Sequence, residues 1–237
     1  AFIITGVIGI VWAAIWLFVY ATPNKSKFVT EEEKEYVEEE LKEISADSPV
    51  EKVPWLSLFK FRKVQGLLLI KFLTDGAWYF FIFWLPKYLA DVRSLDIKEI
   101  GAYAWIPFVF AGAGSFLGGW FSSYLIKRGT SLDWARKIPM GIAAAMLPLS
   151  LLITQASLGT ALIFFGLAMF GHQCWSTLIQ TMVADMYPSR MVGSVAGLMG
   201  AFGTYGAMLF SLGIGVLIEQ AGYGPAFGLS GVLHPIG

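Results

Sequence analysis

Six apolar runs of 17 to 29 residues fill most of this 237-residue chain. They cover Phe2–Ala21, Val64–Leu89, Ile100–Ile126, Ile138–Thr154, Leu158–Ala184 and Met191–Glu219. A helix needs about 20 residues to cross the hydrocarbon core of a bilayer. Lipid offers the backbone no hydrogen-bond partner, so a spanning segment must be a helix or part of a closed barrel. These runs are too long for barrel strands. The expected fold class is therefore an all-α polytopic membrane protein. Charged residues make up 14% of the chain, against about 25% in soluble domains, so the bilayer is its surroundings. Net charge is zero, which argues against a nucleic-acid partner.

The first run has no basic leader and no small-residue cleavage site, so it reads as a spanning helix and not as a signal peptide. Ala1 is not an initiator methionine, and a seventh apolar run starting near Pro225 stops at Gly237. The expectation is a chain cut at both ends. Cys174 is the single cysteine, so no disulfide framework is expected.

The connections sort by charge. Thr22–Lys63, Lys127–Lys137 and Asp185–Arg190 hold 13 of the 17 basic residues, and the connections on the other side hold three. The positive-inside rule places the first set in the cytoplasm. In the long connection, Thr30 and Glu33 have the spacing of a capping box ahead of a run of helix formers ending near Ile44. Pro49 and Pro54 should interrupt any helix beyond that point. Trp55–Lys63 then reads as a short helix lying on the cytoplasmic leaflet. Gly112, Gly114, Ser115, Gly118 and Gly119, and Gly193, Gly197, Gly200, Gly203 and Gly206, mark two helices that pack closely or slide.

The remaining basic residue, Lys71, lies inside a span together with Asp75. Ionisable groups at membrane depth are costly, and they face a protein interior or a watery cavity. Lys71, Asp75, Trp78 and Tyr79 fall on one helical stripe at spacings of four, three and one. An ammonium could hold an anion's carboxylate, while the rings stack on a sugar face. A structural Lys71–Asp75 pair is the alternative, and Asp75 is also a candidate proton carrier. The fifth run carries Gln173, Ser176, Thr177 and Gln180, with His172 and Trp175 beside them. That stripe suits hydroxyl recognition or interhelical hydrogen bonding, and Thr204 is a weaker candidate. No cofactor and no metal site are expected, because His172 and His234 stand 62 residues apart and Cys174 is alone. Enzyme activity is not expected.

Three segments resemble the carboxyl-terminal half of major facilitator superfamily transporters. Within that superfamily they are most similar to the anion:cation symporter group, whose bacterial members carry hexuronates, galactonate and related sugar acids. The segments are KFLTDGAWYFFIFWLPKYL (Lys71–Leu89), GHQCWSTLIQTMVADMYPSRMVGSVAG (Gly171–Gly197) and GGWFSSYLIKRGTSLDWARK (Gly118–Lys137). The resemblance implies a partial major facilitator fold, from helix six to the start of helix twelve. Residues 1–21 would then be the last helix of the amino-terminal bundle, 22–63 a cytoplasmic interdomain loop with short helices, and 64–237 the carboxyl-terminal bundle. It implies import of a sugar acid across a bacterial inner membrane with a proton as coupling cation. Sodium coupling and another carboxylate such as phthalate or tartrate stay open, as does the oligomeric state.

The implied substrate residues are Lys71, Asp75, Trp78, Tyr79, Gln173, Trp175, Ser176, Thr177 and Gln180. The third segment resembles the cytoplasmic signature, with Gly118, Gly119, Ser123, Lys127, Arg128 and Arg136 as gate or topology residues and Lys137 beside them. Ser123 stands where the family carries an Asp, so a weaker gate is expected. A membrane-embedded enzyme using His172 and Asp75 would need both at one depth. Here His172 is expected in the outer half of the membrane and Asp75 in the cytoplasmic half.

Overall fold

The computed structural model describes residues 2–22, 25–26, 29–46 and 54–236. The chain forms two units, Ala1–Lys52 and Val53–Gly237. In the first, α1 (Phe2–Val19) is an 18-residue helix of high hydropathy, about 27 Å long at 1.5 Å per residue. Trp12, Trp16 and Tyr20 follow one another along one face, the last two stacked at 4.8 Å. The second helix, α2 (Glu31–Ala46), opens on the expected capping box. Thr30 N and Oγ1 each donate to Glu33 Oε2 at 2.9 Å, and Glu33 N donates to Thr30 Oγ1 at 3.3 Å. Pro49, expected to interrupt the chain after this helix, lies outside the described residues.

The second unit contains α3 (Arg62–Arg93), α4 (Ile97–Tyr103), α5 (Ile106–Lys127), α6 (Leu132–Met146), α7 (Leu158–Met186), α8 (Ser189–Ala221) and α9 (Tyr223–Ile236). With α1, six helices or helix pairs among the described residues are long and apolar enough to span a membrane. The chain is thus a multi-pass membrane protein.

Prolines explain where the helices depart from the apolar runs. The run Ile100–Ile126 was expected to be one helix, yet it breaks at Ala104–Trp105. Pro107 lacks the N–H that would continue the ladder. Likewise Ile138–Thr154 is not one α-helix. Pro148 gives the Ala144 carbonyl no i+4 donor, so Leu147 N–H takes that carbonyl instead. The chain continues as a 3-10 helix over Leu147–Gln155. At its other end α6 begins at Leu132, which puts Arg136 and Lys137 on a helix and not in the expected loop.

The expected interfacial helix is a 3-10 turn, Trp55–Lys60. Trp55 and Leu56 are exposed, but Leu58 is fully buried in the bundle and Phe59 packs on Phe202 at 5.8 Å. The segment is a plug as well as a lipid-facing strip.

Apolar packing falls into two clusters. One, towards the Arg93 end of α3, gathers Phe80, Phe81, Tyr88, Phe165 and Phe227 in edge-to-face pairs. The other, towards the Arg62 end, gathers Leu58, Val64, Trp175, Val195 and Met199. Arg93 fastens the last turn of α3. Its guanidinium donates to Tyr88 Oη (2.9 Å), Ile153 O (3.0 Å) and Ala156 O (2.7 Å), covering carbonyls at the end of the 3-10 segment. Ser150 Oγ donates to Phe227 O at 2.9 Å and ties the same segment to α9.

Four glycines on the two candidate helices allow close approach. A Cβ on Gly114 would overlap the Phe170 carbonyl of α7, and one on Gly118 would meet Cys174 Sγ at 2.5 Å. On α8, Gly203 abuts the Asp75 carboxylate and Gly206 the Phe72 carbonyl of α3. Gly112, Gly119, Gly193, Gly197 and Gly200 face open space. Gly206→Ala should therefore cost about 1–3 kcal/mol through overpacking against backbone. Gly200→Ala should be neutral or stabilising, as read from the melting temperatures of the two variants of the full-length protein.

The cap of α2 predicts a pH response. The Thr30 backbone N–H, then its hydroxyl, hold the Glu33 carboxyl below the usual carboxylate range. The box contributes fully above that range and is lost as pH falls through the lowered value. Amide exchange in the first turn of α2 should accelerate relative to its middle on acidification, and the difference should vanish in Glu33→Gln.

Candidate functional site: a buried polar layer

Along each core helix the order of side chains is apolar, polar, apolar. On α3 the polar step is Lys71, Thr74 and Asp75, between Val64–Leu68 and Ala77–Leu89. On α7 it is His172, between Met169 and Cys174. On α9, His234 closes the same layer. These five side chains are all buried.

Lys71 Nζ lies 2.6 Å from Asp75 Oδ1, with side chains 6% and 12% accessible. The amine thus does not snorkel to the headgroups. The i, i+4 spacing makes the contact, and Gly203 on α8 makes room for the other carboxylate oxygen. Thr74 Oγ1 donates back to Ile70 O at 2.8 Å, leaving the pair undisturbed.

One turn further along α3, the Trp78 ring stacks on His172 at 4.9 Å and 10°. His172 Nδ1 and His234 Nε2 are 2.9 Å apart in a hydrogen bond. His234 in turn stands edge-on to Trp175 at 5.1 Å. Two expectations need correction. The 62 residues between the histidines do not separate them, because α9 packs against the 3-10 segment Leu147–Gln155 and α3, which brings His234 to His172. His172 stands against Trp78, one helical turn along α3 from Asp75, so the two are not set far apart as expected.

The four-residue stripe on α3 is only partly a stripe. Tyr79 falls eight residues after Lys71, about 80° round the helix at 100° per residue. It stacks on Phe83 at 5.8 Å. With Thr204, Met208 and Ser211 it lines a groove of about 370 Å³ between α3 and α8. On α7, Gln173 and Ser176 are half-buried and Gln180 is exposed. Thr177 is also half-buried, with its hydroxyl 2.6 Å from Ser115 Oγ on α5. Trp175 is buried against His234, away from any open surface.

At the end of the bundle where α5 gives way to α6, Arg136 forms a fork on Asp185, Nε to Oδ2 at 2.8 Å and Nη2 to Oδ1 at 3.3 Å. Its Nη1 donates to buried Ser122 Oγ at 2.8 Å. One guanidinium thereby joins α5, α6 and α7. Asp185 and Ser122 were missed in the sequence, although both stand in segments that carry the family resemblance. Ser123, the departure from the family signature, is exposed. Arg128 lies over the Tyr124 ring at 5.1 Å, and Lys137 pairs with Asp133 at 2.6 Å. Lys127 is exposed at the end of α5. Gly118 packs on Cys174 while Gly119 faces open space.

A bundle of spanning helices with a buried ion pair and a charged fastening at one end defines a polytopic membrane protein. The chain belongs to the Major Facilitator Superfamily, whose family model matches residues 1–210. It is 29% identical over 245 residues to the hexuronate transporter of Escherichia coli (strain K12), covering all of this chain and 55% of that protein. It is 29% identical to the D-galactonate transporter of Escherichia coli O6:H1, over 95% of this chain and 54% of that one. With a probable galactarate/D-glucarate transporter of Bacillus subtilis (strain 168) it shares 31% identity, over 93% and 50%. The chain spans about half the length of these relatives.

Removing one member of a buried ion pair leaves an uncompensated charge, at a cost of about 3–5 kcal/mol. Lys71→Ala should lower stability by that order. The double variant Lys71→Ala/Asp75→Ala should regain most of it. Thermal unfolding of the purified full-length protein reads both, and equal losses in single and double variants would remove the pair as a stabilising unit.

Proposed function

We propose that this chain is the carboxyl-terminal part of a secondary transporter that imports a sugar acid, a hexuronate or close relative, with protons. The observation that carries this reading is the packed Lys71–Asp75 pair at mid-depth. An ion pair costs more to bury than apolar residues of the same volume contribute, so its retention suits a role in binding. The names of the relatives support the substrate class.

In this reading residues 1–21 close the amino-terminal bundle, 22–63 link the bundles on the cytoplasmic side, and 64–237 supply half of the central site. The substrate lies near the bilayer midplane and the bundles rock around it. Its carboxylate competes with Asp75 for the Lys71 ammonium, which has three donors to share. Trp78 and Tyr79 offer ring faces. Gln173, Ser176, Gln180 and Thr204 offer hydroxyl partners, while Thr177 serves first as a bond to α5. Trp175 acts by holding His234 and not by touching substrate. The Arg136–Asp185–Ser122 fastening closes the cytoplasmic end, with the carboxylate that position 123 lacks supplied from α7. The membrane is the bacterial inner membrane and the coupling cation is a proton.

The test is counterflow of labelled D-galacturonate, D-glucuronate and D-galactonate by the full-length protein in proteoliposomes. At least one should exchange, and phthalate and tartrate should not compete. The Lys71→Gln/Asp75→Asn variant keeps hydrogen bonding without charge. It should raise KM about tenfold or more, since a hydrogen bond to a charged group is worth about 1.5–3 kcal/mol. Unchanged KM would remove Lys71 from the site.

A further inference from the structure

We propose that α5, α6 and α7 form a binding site for one anionic glycerophospholipid. An acyl chain lies in an apolar groove between the helices, and the phosphate rests on Arg128. The site is separate from the Lys71–Asp75 layer and does not rest on the sugar-acid reading. Three observations meet there.

The first is the groove, about 240 Å³ in volume. Leu117 and Trp120 of α5 line it together with Ile142 and Met146 of α6, above Gly118 and Cys174. Leu117, Trp120 and Ile142 are exposed while Gly118 and Cys174 are buried, so the groove opens away from the bundle core. Gly118 sets no side chain between the slot and the Cys174 thiol. Sites that enclose a whole ligand measure about 300–1,000 Å³. This one is smaller and no charged side chain lines it, which suits a single hydrocarbon chain. An empty apolar slot forfeits dispersion contacts along its walls, and beside spanning helices the acyl chain is the apolar material at hand.

The second is a row of side chains leading from the groove to the end of α5. Trp120 and Tyr124 stack at 5.8 Å and 17°. The Arg128 guanidinium lies over the Tyr124 ring at 5.1 Å. Eight residues carry the row about 12 Å along the helix at 1.5 Å per residue. A guanidinium held on an aromatic face keeps the N–H fork that binds a phosphate at two points.

The third is charge. At this corner Arg136 is paired with Asp185, and Lys137 with Asp133. Lys127 and Arg128 are exposed, and neither has a carboxylate partner among the described residues. Two uncancelled positive charges therefore stand at the polar end of an apolar slot. An anionic headgroup complements them. A zwitterionic headgroup brings its own ammonium to the same place and gains less.

The experiment is native mass spectrometry of the purified, delipidated full-length protein titrated with dioleoylphosphatidylglycerol or dioleoylphosphatidylcholine. The two lipids share their chains and differ in charge. The first phosphatidylglycerol should bind about tenfold tighter or more, the scale that two basic residues give at a lipid surface. Lys127→Gln/Arg128→Gln should bind the two lipids alike. Equal binding by the wild type overturns the inference, and a groove covered by the other half of the full-length protein would give that result. Dihexanoylphosphatidylglycerol supplies the headgroup with short chains and should bind at least tenfold more weakly than the dioleoyl lipid, since each buried methylene contributes to anchoring. Equal affinity for the short-chain lipid would leave the groove without a role and overturn the inference. Ile142→Trp narrows the slot from its exposed rim, where the fold tolerates the change. It should weaken phosphatidylglycerol binding several-fold, and an unchanged affinity would place the chain elsewhere and overturn the inference equally.

Discussion

A charge removed from water at the middle of a bilayer must be cancelled within a few ångströms, and here the cancelling group sits one helical turn away. Lys71 and Asp75 answer each other at 2.6 Å. Much of the surrounding architecture serves that contact. Gly203 supplies the space the carboxylate occupies. The apolar clusters above and below isolate the layer from both membrane faces. Helix association in lipid gains little from apolar burial, since lipid tails are as apolar as leucine. Close backbone approach at Gly114 and Gly206, together with aromatic edges around Phe165 and Phe227, therefore has to hold the bundle.

What the sequence shows about this fold is set by distance along the chain. Spans are legible because about 20 apolar residues are needed to cross a bilayer. The Lys71–Asp75 contact is legible because four residues close a turn. The capping box at Thr30 and Glu33 is legible for the same reason. Hydropathy alone does not see that Pro107 and Pro148 change the helix type within a run, although the residues themselves mark the spots.

Contacts between helices are another matter. Arg136 and Asp185 are 49 residues apart, and His172 and His234 are 62 apart. Their meeting depends on how helices fold back, which no local period encodes. The same holds for Trp175. Its place in a polar-looking segment suggested a cavity wall, whereas its position on α7 turns it inward against α9. Tyr79 shows the limit of stripe arguments, since eight residues bring a side chain only approximately back to its starting face. It lies over the α3–α8 groove while Lys71 lies in the core.

The two ends of this bundle are fastened by different chemistry. At the Arg136 end a guanidinium meets a carboxylate, a junction that salt or a proton can loosen. At the other end the acceptors of Arg93 among the described residues are neutral oxygens, those of Tyr88, Ile153 and Ala156. Neither acid nor a competing anion withdraws those acceptors. The neutral junction therefore holds whatever the ionic conditions, while the charged one answers to them.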